Sequence, residues 1–156
     1  MKKKTKFVVE PFDDIRIIGI NTGMQDYQLA WNINKSLKLN LVRYKDVISE
    51  DGDFFSFYLY DAGENANTFN LVALSNEESR WVSFSPQTDY LLIIRNYIKD
   101  TDYQSLLTTI KSIPRVAYAY SVDLGKNSKI DTILEDIEMH EMEIGNEINK
   151  KAVSFQ

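Results

Sequence analysis

Short apolar runs alternate along this chain with clusters of turn-forming residues. IRIIGINT, starting at Ile15, is mostly apolar and β-branched and stops at Thr22-Gly23, the pattern of a buried strand. In DYQLAWNINKSL, starting at Asp26, Tyr27, Ala30, Trp31 and Leu37 share a helical face with Ile33 beside it, which predicts a helix over 27–37. LNLVRY reads as a strand or extended segment, and ISEDGD as a turn. FFSFYLYD follows, with five aromatics in eight residues, the strongest strand signal in the chain. TFNLVALS and WVSFS, separated by the turn NEESR, are the next two predicted strands. Beyond Pro86, YLLIIRNY repeats the apolar character of the first strand. A second helix is predicted over 102–112 and ends before Pro114, because proline turns the preceding residue away from helix. VAYAYSVD is the last predicted strand. A tail helix over 128–150 carries Ile130, Ile133, Leu134, Ile137, Ile144 and Ile148 at spacings of three and four. Glu141 interrupts that stripe, and Gly145 weakens the helix by about 1 kcal/mol relative to alanine.

The two helical segments share wording. DYQLAWNINKSL and DYQSLLTTIKSI, 76 positions apart, agree at five of twelve positions. At that offset Ile17-Ile18 falls on Ile93-Ile94, and Tyr27, Ala30 and Trp31 fall on Tyr103, Leu106 and Leu107. Each half reads strand, helix, strand. Two such halves predict a ferredoxin-like α/β sandwich, an α+β fold with both helices on one face of an antiparallel sheet, extended by extra strands. Trp31 and Leu107 are then expected to be buried. Thr101 to Gln104 reads as a capping box, with Asp102 in the first turn where the helix dipole favours a carboxylate. The expected organisation is a basic arm at 1–14, the sandwich at 15–124 and an acidic amphipathic helix at 128–150.

Gly19 through Leu41, together with FSFYLYD and TDYLLII, resembles the IPExxxVDY family of Bacteroidota. The similar region spans about Ile15 to Leu124. Of the segment that names the family, Asp89 and Tyr90 stand at the Asp-Tyr positions, while Val82, Ser83 and Phe84 replace Ile-Pro-Glu. The acidic tail is an addition to the family's usual length. The resemblance implies a cytoplasmic bacterial protein and brings no activity with it.

Composition narrows the function by exclusion. The 156 residues suit one domain with an appendage, and the absence of cysteine removes disulfides, thiolate metal sites and a Cys nucleophile. The basic start lacks the apolar core of a signal peptide, and no run is long enough to span a membrane, so a cytoplasmic protein is expected. A net charge of −5 argues against general nucleic-acid binding. Seven acids and no Lys or Arg lie between Asp131 and Glu147. The single histidine, His140, has too few acids at helical spacing for a metal site and is expected on a solvated face. There is no Gly-x-Ser-x-Gly, no Gly-x-Gly-x-x-Gly and no Walker-type loop. No catalytic constellation, metal or cofactor is expected.

What remains is a surface. Strand alternation sends Phe54, Tyr58 and Tyr60 to one face of the aromatic strand, and Phe55, Phe57 and Leu59 to the other. The leading expectation is a non-enzymatic interaction or regulatory module. It would act through an open sheet face bearing Phe54, Tyr58 and Tyr60, or through the tail residues Ile133, Ile137 and Ile144. Its partner would be another protein or a second copy. One alternative is small-molecule sensing in the manner of ACT-type domains, with a cleft near 19–23. The other is RNA binding by base stacking.

Overall fold

Six of the apolar runs lie side by side in one antiparallel sheet. The computed structural model describes residues 14–63, 66–84, 86–126 and 128–154. The expected basic arm lies outside the described residues except for Asp14, and Ile148 lies beyond the described side chains. The strands are β1 (Arg16–Thr22), β2 (Val42–Ile48), β3 (Phe54–Asp61), β4 (Thr68–Ala73), β5 (Tyr90–Arg95) and β6 (Val116–Ser121). The helices are α1 (Asp26–Leu37), α2 (Asp100–Lys111) and α3 (Ser128–Ser154). The strand order is β2-β3-β4-β5-β1-β6, with every neighbouring pair antiparallel. Three of the four inner strands, β4, β5 and β1, are buried on both faces, which is why they read as largely apolar runs.

Alternation along the strands divides the core in two. One cluster joins Leu29, Ala30 and Ile33 of α1 and Tyr103, Leu107 and Ile110 of α2 with Ile18, Ile20, Leu92 and Ile94 of the sheet. The other joins Ile130, Ile133, Leu134, Ile137 and Ile144 of α3 with Ile17, Leu91, Ile93, Phe55 and Phe57. The tail helix therefore packs on its own domain.

The structural repeat does not follow the verbal one. β1 and β5, α1 and α2, and β2 and β6 begin 74 positions apart, two fewer than the matching words. Leu29 then corresponds to Tyr103 and Ile33 to Leu107, and all four are buried. Trp31, expected in the core, is 61% exposed, and Tyr27 is 63% exposed. The buried stripe of α1 is instead Leu29, Ala30 and Ile33 with Leu37 alongside. Thr101 does not cap α2. The helix starts two residues earlier, where Asp100 takes a 3.2 Å ion pair from Arg16, whose guanidinium lies 3.8 Å above the Tyr103 ring.

WVSFS is not a strand. Leu74, just past β4, gives its N–H to the Asp89 carbonyl and accepts the N–H of Trp81, and the pairing stops at the isolated antiparallel bridge between Ser75 and Arg80. Trp81 instead stacks on Phe55 with ring centroids 5.1 Å apart. Gly19 is required by a close approach: a Cβ there would lie 2.7 Å from the ring of Tyr120, its cross-strand partner.

Candidate functional site

The loop from β1 into α1 is pinned from several sides. Asp89 Oδ2 accepts the Thr22 N–H at 3.0 Å, Thr22 Oγ1 donates to the Arg115 carbonyl at 2.7 Å, and the Tyr90 hydroxyl donates to the Met24 carbonyl at 2.8 Å. Gln25 donates its N–H to Gln28 Oε1 at 3.0 Å, closing the first turn of α1. Asp26, at the helix start, accepts from the Tyr58 hydroxyl at 3.2 Å and from Arg43 at 3.2 Å; Arg43 also reaches Asp46 at 2.7 Å. Burial, with the Asp26 carboxylate adding to it, pushes the Tyr58 phenol up to about 12. Burial raises Tyr90 as well.

This pinned loop forms one wall of a cavity of about 430 Å³. Phe54, Ser56, Asn76 and the carboxylates Asp46, Glu77 and Asp89 line the rest of it. It lies at the strand–helix junction. The lining offers carboxylate and hydroxyl acceptors beside the rings of Phe54 and Tyr90.

The outer face of α1 presents a second surface. Tyr27 and Trp31 stand one turn apart, and Lys35 places its ammonium 4.9 Å from the Trp31 ring centroid. Tyr27, Gln28, Trp31, Asn32 and Arg115 line an open groove of about 530 Å³. Arg115 holds φ at +77°, a conformation that L side chains adopt infrequently, in the turn between α2 and β6. Sequence spacing puts Tyr27 and Trp31 on the core stripe, which hides the aromatic face of this groove until the fold shows both exposed.

The residues expected to form a binding face are scattered. Phe54 is 56% exposed and lines the junction cavity. Tyr58 is buried in the α1/α2 cluster, and Tyr60 is half-buried and stacks on Phe69. The aromatic strand is thus open at its Phe54 end and covered beyond it: Tyr58 and Tyr60 point to the side already taken by α1 and α2, and Phe55 and Phe57 lie on the α3 side. Ile133, Ile137 and Ile144 are buried in that second cluster, where they hold α3 to the sheet.

His140 is not on a solvated face. It is buried, its Nε2 lies 2.8 Å from the Lys45 carbonyl, and its ring meets Phe57 edge-on at 4.8 Å. Its neighbour Glu141 turns inward too, pairing with Arg95 and accepting from the Asn70 amide at 2.5 Å. Lys45 answers Glu147 at 2.6 Å and Glu143 at 3.7 Å, so part of the tail's charge is matched by β2. Among the described residues, no group of three or more His, Asp or Glu is arranged to hold a metal ion, and no helix is long and apolar enough to cross a membrane.

Among the described residues, this fold and these surfaces define an α+β protein with a six-stranded antiparallel sheet and three α-helices, with open concavities next to α1. No protein-family model, curated protein or solved structure matches the chain.

Proposed function

We propose that this chain is a non-enzymatic protein-interaction module built on a ferredoxin-like sandwich, with β3 and β4 inserted as a hairpin between its two halves. The outer face of α1 is its docking surface. The observation that carries this reading is the pair Tyr27 and Trp31, 63% and 61% exposed on a helix whose opposite face is already buried. A folded helix that leaves its two largest side chains in water gains nothing for its own stability from them. Tyr, Trp and Arg dominate binding hot spots, and here Arg115 completes the set. The resemblance to the IPExxxVDY family and the lack of cysteine support a cytoplasmic setting.

The test compares the wild-type chain with a Tyr27→Ala/Trp31→Ala variant as baits for proteins of the native cytoplasm. Both baits are expected to melt at the same temperature, with a captured protein present on the first and missing from the second. Equal capture by both baits sinks the assignment of the α1 face.

A second reading has its own observation. The junction cavity, about 430 Å³ and within the usual range for small-ligand sites, favours sensing of a small molecule. Asp26 and Asp46 already pair with Arg43 and Asp89 with Arg80, which leaves Glu77 of the lining to meet an ammonium-bearing ligand. Thermal-shift measurements with amino acids, polyamines and nucleotides test it: stabilisation by amines that is lost in Glu77→Gln supports it, and no shift with any of them removes it.

A further inference from the structure

We propose that the α1 face receives the outer face of α3 from a second copy of this chain, joining copies head to tail. The inference rests on the reading of the α1 face as a docking surface and names its partner. Charge and shape carry it. The outward side of α1 holds Tyr27, Trp31 and Lys35, with the C-cap Lys38 and Arg115 beside them, and no acid. That is unusual in a chain of net charge −5. The outward side of α3 is its complement: among the described residues it presents Glu135, Glu138, Met139 and Met142, and the exposed cation of the helix, Lys129, sits in its first turn, where it reaches the Ser83 carbonyl. Met139 and Met142 are 61% and 63% exposed, close to the exposures of Trp31 and Tyr27.

The geometry matches as well. Tyr27 and Trp31 are four residues apart and Met139 and Met142 three, so each pair spans one helical turn. Methionine sulfur packs favourably against aromatic rings and adapts to irregular surfaces. The ion pairs are also free to form. Glu141, Glu143 and Glu147 are already paired with Arg95 and Lys45, whereas among the described residues Glu135 and Glu138 meet no cation, and Lys35 and Arg115 meet no carboxylate.

The two faces belong to opposite sides of the sheet, because α1 packs in one core cluster and α3 in the other. A chain therefore cannot satisfy its own α1 face. Two different surfaces meeting in this way make a heterologous contact, which adds copies in series unless the rotation closes a ring.

The experiment uses the full chain and two kinds of surface variant. Light-scattering mass is measured against concentration at low and high salt. The wild type is expected to grow beyond one chain at low salt and to fall back at high salt, as a screened contact does. Trp31→Ala/Lys35→Glu breaks the receiving face, and Met139→Lys/Met142→Lys breaks the inserting face. Each variant alone is expected to stay monomeric with an unchanged melting temperature. Mixed in equal amounts, they still own one intact face of each kind, so the mixture is expected to give a species of two chains and nothing larger. Glu135→Lys/Glu138→Lys serves as a second inserting-face variant with the methionines kept. A wild type that is monomeric at every concentration overturns the proposal, as does a mixture that stays monomeric or single-face variants that still associate. If the wild type is monomeric while Tyr27→Ala/Trp31→Ala still loses a cytoplasmic partner, the α1 docking surface stands and its pairing with α3 falls.

Discussion

Trp31 and Leu29 are two residues apart on α1 and have opposite fates, and substitution separates them. Trp31→Ala is expected to change stability by no more than about 0.5 kcal/mol, the usual range for a surface site, whereas Leu29→Ala is expected to cost about 2–5 kcal/mol. Urea unfolding of both variants checks the pair. Gly19→Ala must push aside the Tyr120 ring, whose hydroxyl is held by Thr88 at 2.7 Å, and is expected to cost about 1–3 kcal/mol by the same measurement. Asp136 is a candidate for improvement. Burial raises its pKa, Glu50 and Glu135 add to the effect, and its Oδ2 is buried without a hydrogen-bond partner. A raised carboxylate pKa disfavours the charged form, so stability is lost as pH rises through the folded-state value. Asp136→Asn is expected to raise the melting temperature at neutral pH, with the gain shrinking in acid. Tyr58 gives the alkaline counterpart. Its phenol titrates near 12 in the fold against an ordinary value of about 10, so its contribution is complete below 10 and is lost between about 10 and 12. Tyr58→Phe is expected to flatten that part of the stability–pH curve, as followed by circular dichroism.

At the scale of elements, α3 decides the most. It covers Phe55, Phe57, Leu91 and Ile93, all fully buried, so a chain truncated after Gly125 would expose a broad apolar sheet face. The truncated chain is expected to aggregate or to bind a hydrophobic dye strongly; a truncated chain with wild-type stability and solubility would overturn the assignment of α3 to this core. Within the helix, Glu141→Leu leaves Arg95 without its carboxylate and is expected to cost about 1–3 kcal/mol. Adding Arg95→Met should recover much of that loss, because replacing both partners by apolar groups removes the unpaired charge. Thermal denaturation of the single and double variants reads this out.

For the molecule as a whole, the sheet predicts a gradient of protection. β4, β5 and β1 have neighbours on both sides and buried residues on both faces, while β2 and β6 are edge strands with several exposed positions. Amide exchange is expected to be slowest in Leu91–Ile94 and Ile17–Ile20 and faster in β2 and β6. Uniform exchange rates across the six strands would contradict the strand order.

Local pattern was enough to identify most elements. FFSFYLYD was a strand over the observed residues, and the long tail was a helix, because periodicity and β-propensity act over a few neighbouring residues. The isoleucine stripe of α3 and the interior position of Leu107 were readable for the same reason. Which face of α1 turns inward was not readable. Tyr27 and Trp31 lie at helical spacing just as Leu29 and Ile33 do, and only docking against the sheet, with Asp26 held by Tyr58 and Arg43, chooses between the two stripes. The matching words made the wrong stripe attractive, since they recur at 76 while the elements recur at 74. His140 and Glu141 needed the tertiary structure too. A histidine and a glutamate look solvated in sequence, and their partners, the Lys45 carbonyl and Arg95, lie 95 and 46 residues away. The proposed pairing of exposed faces depends on the same long-range information: each face was written locally, but only the fold put the basic aromatic surface and the acidic methionine surface on opposite sides of one sheet, where neither can satisfy the other within a single chain.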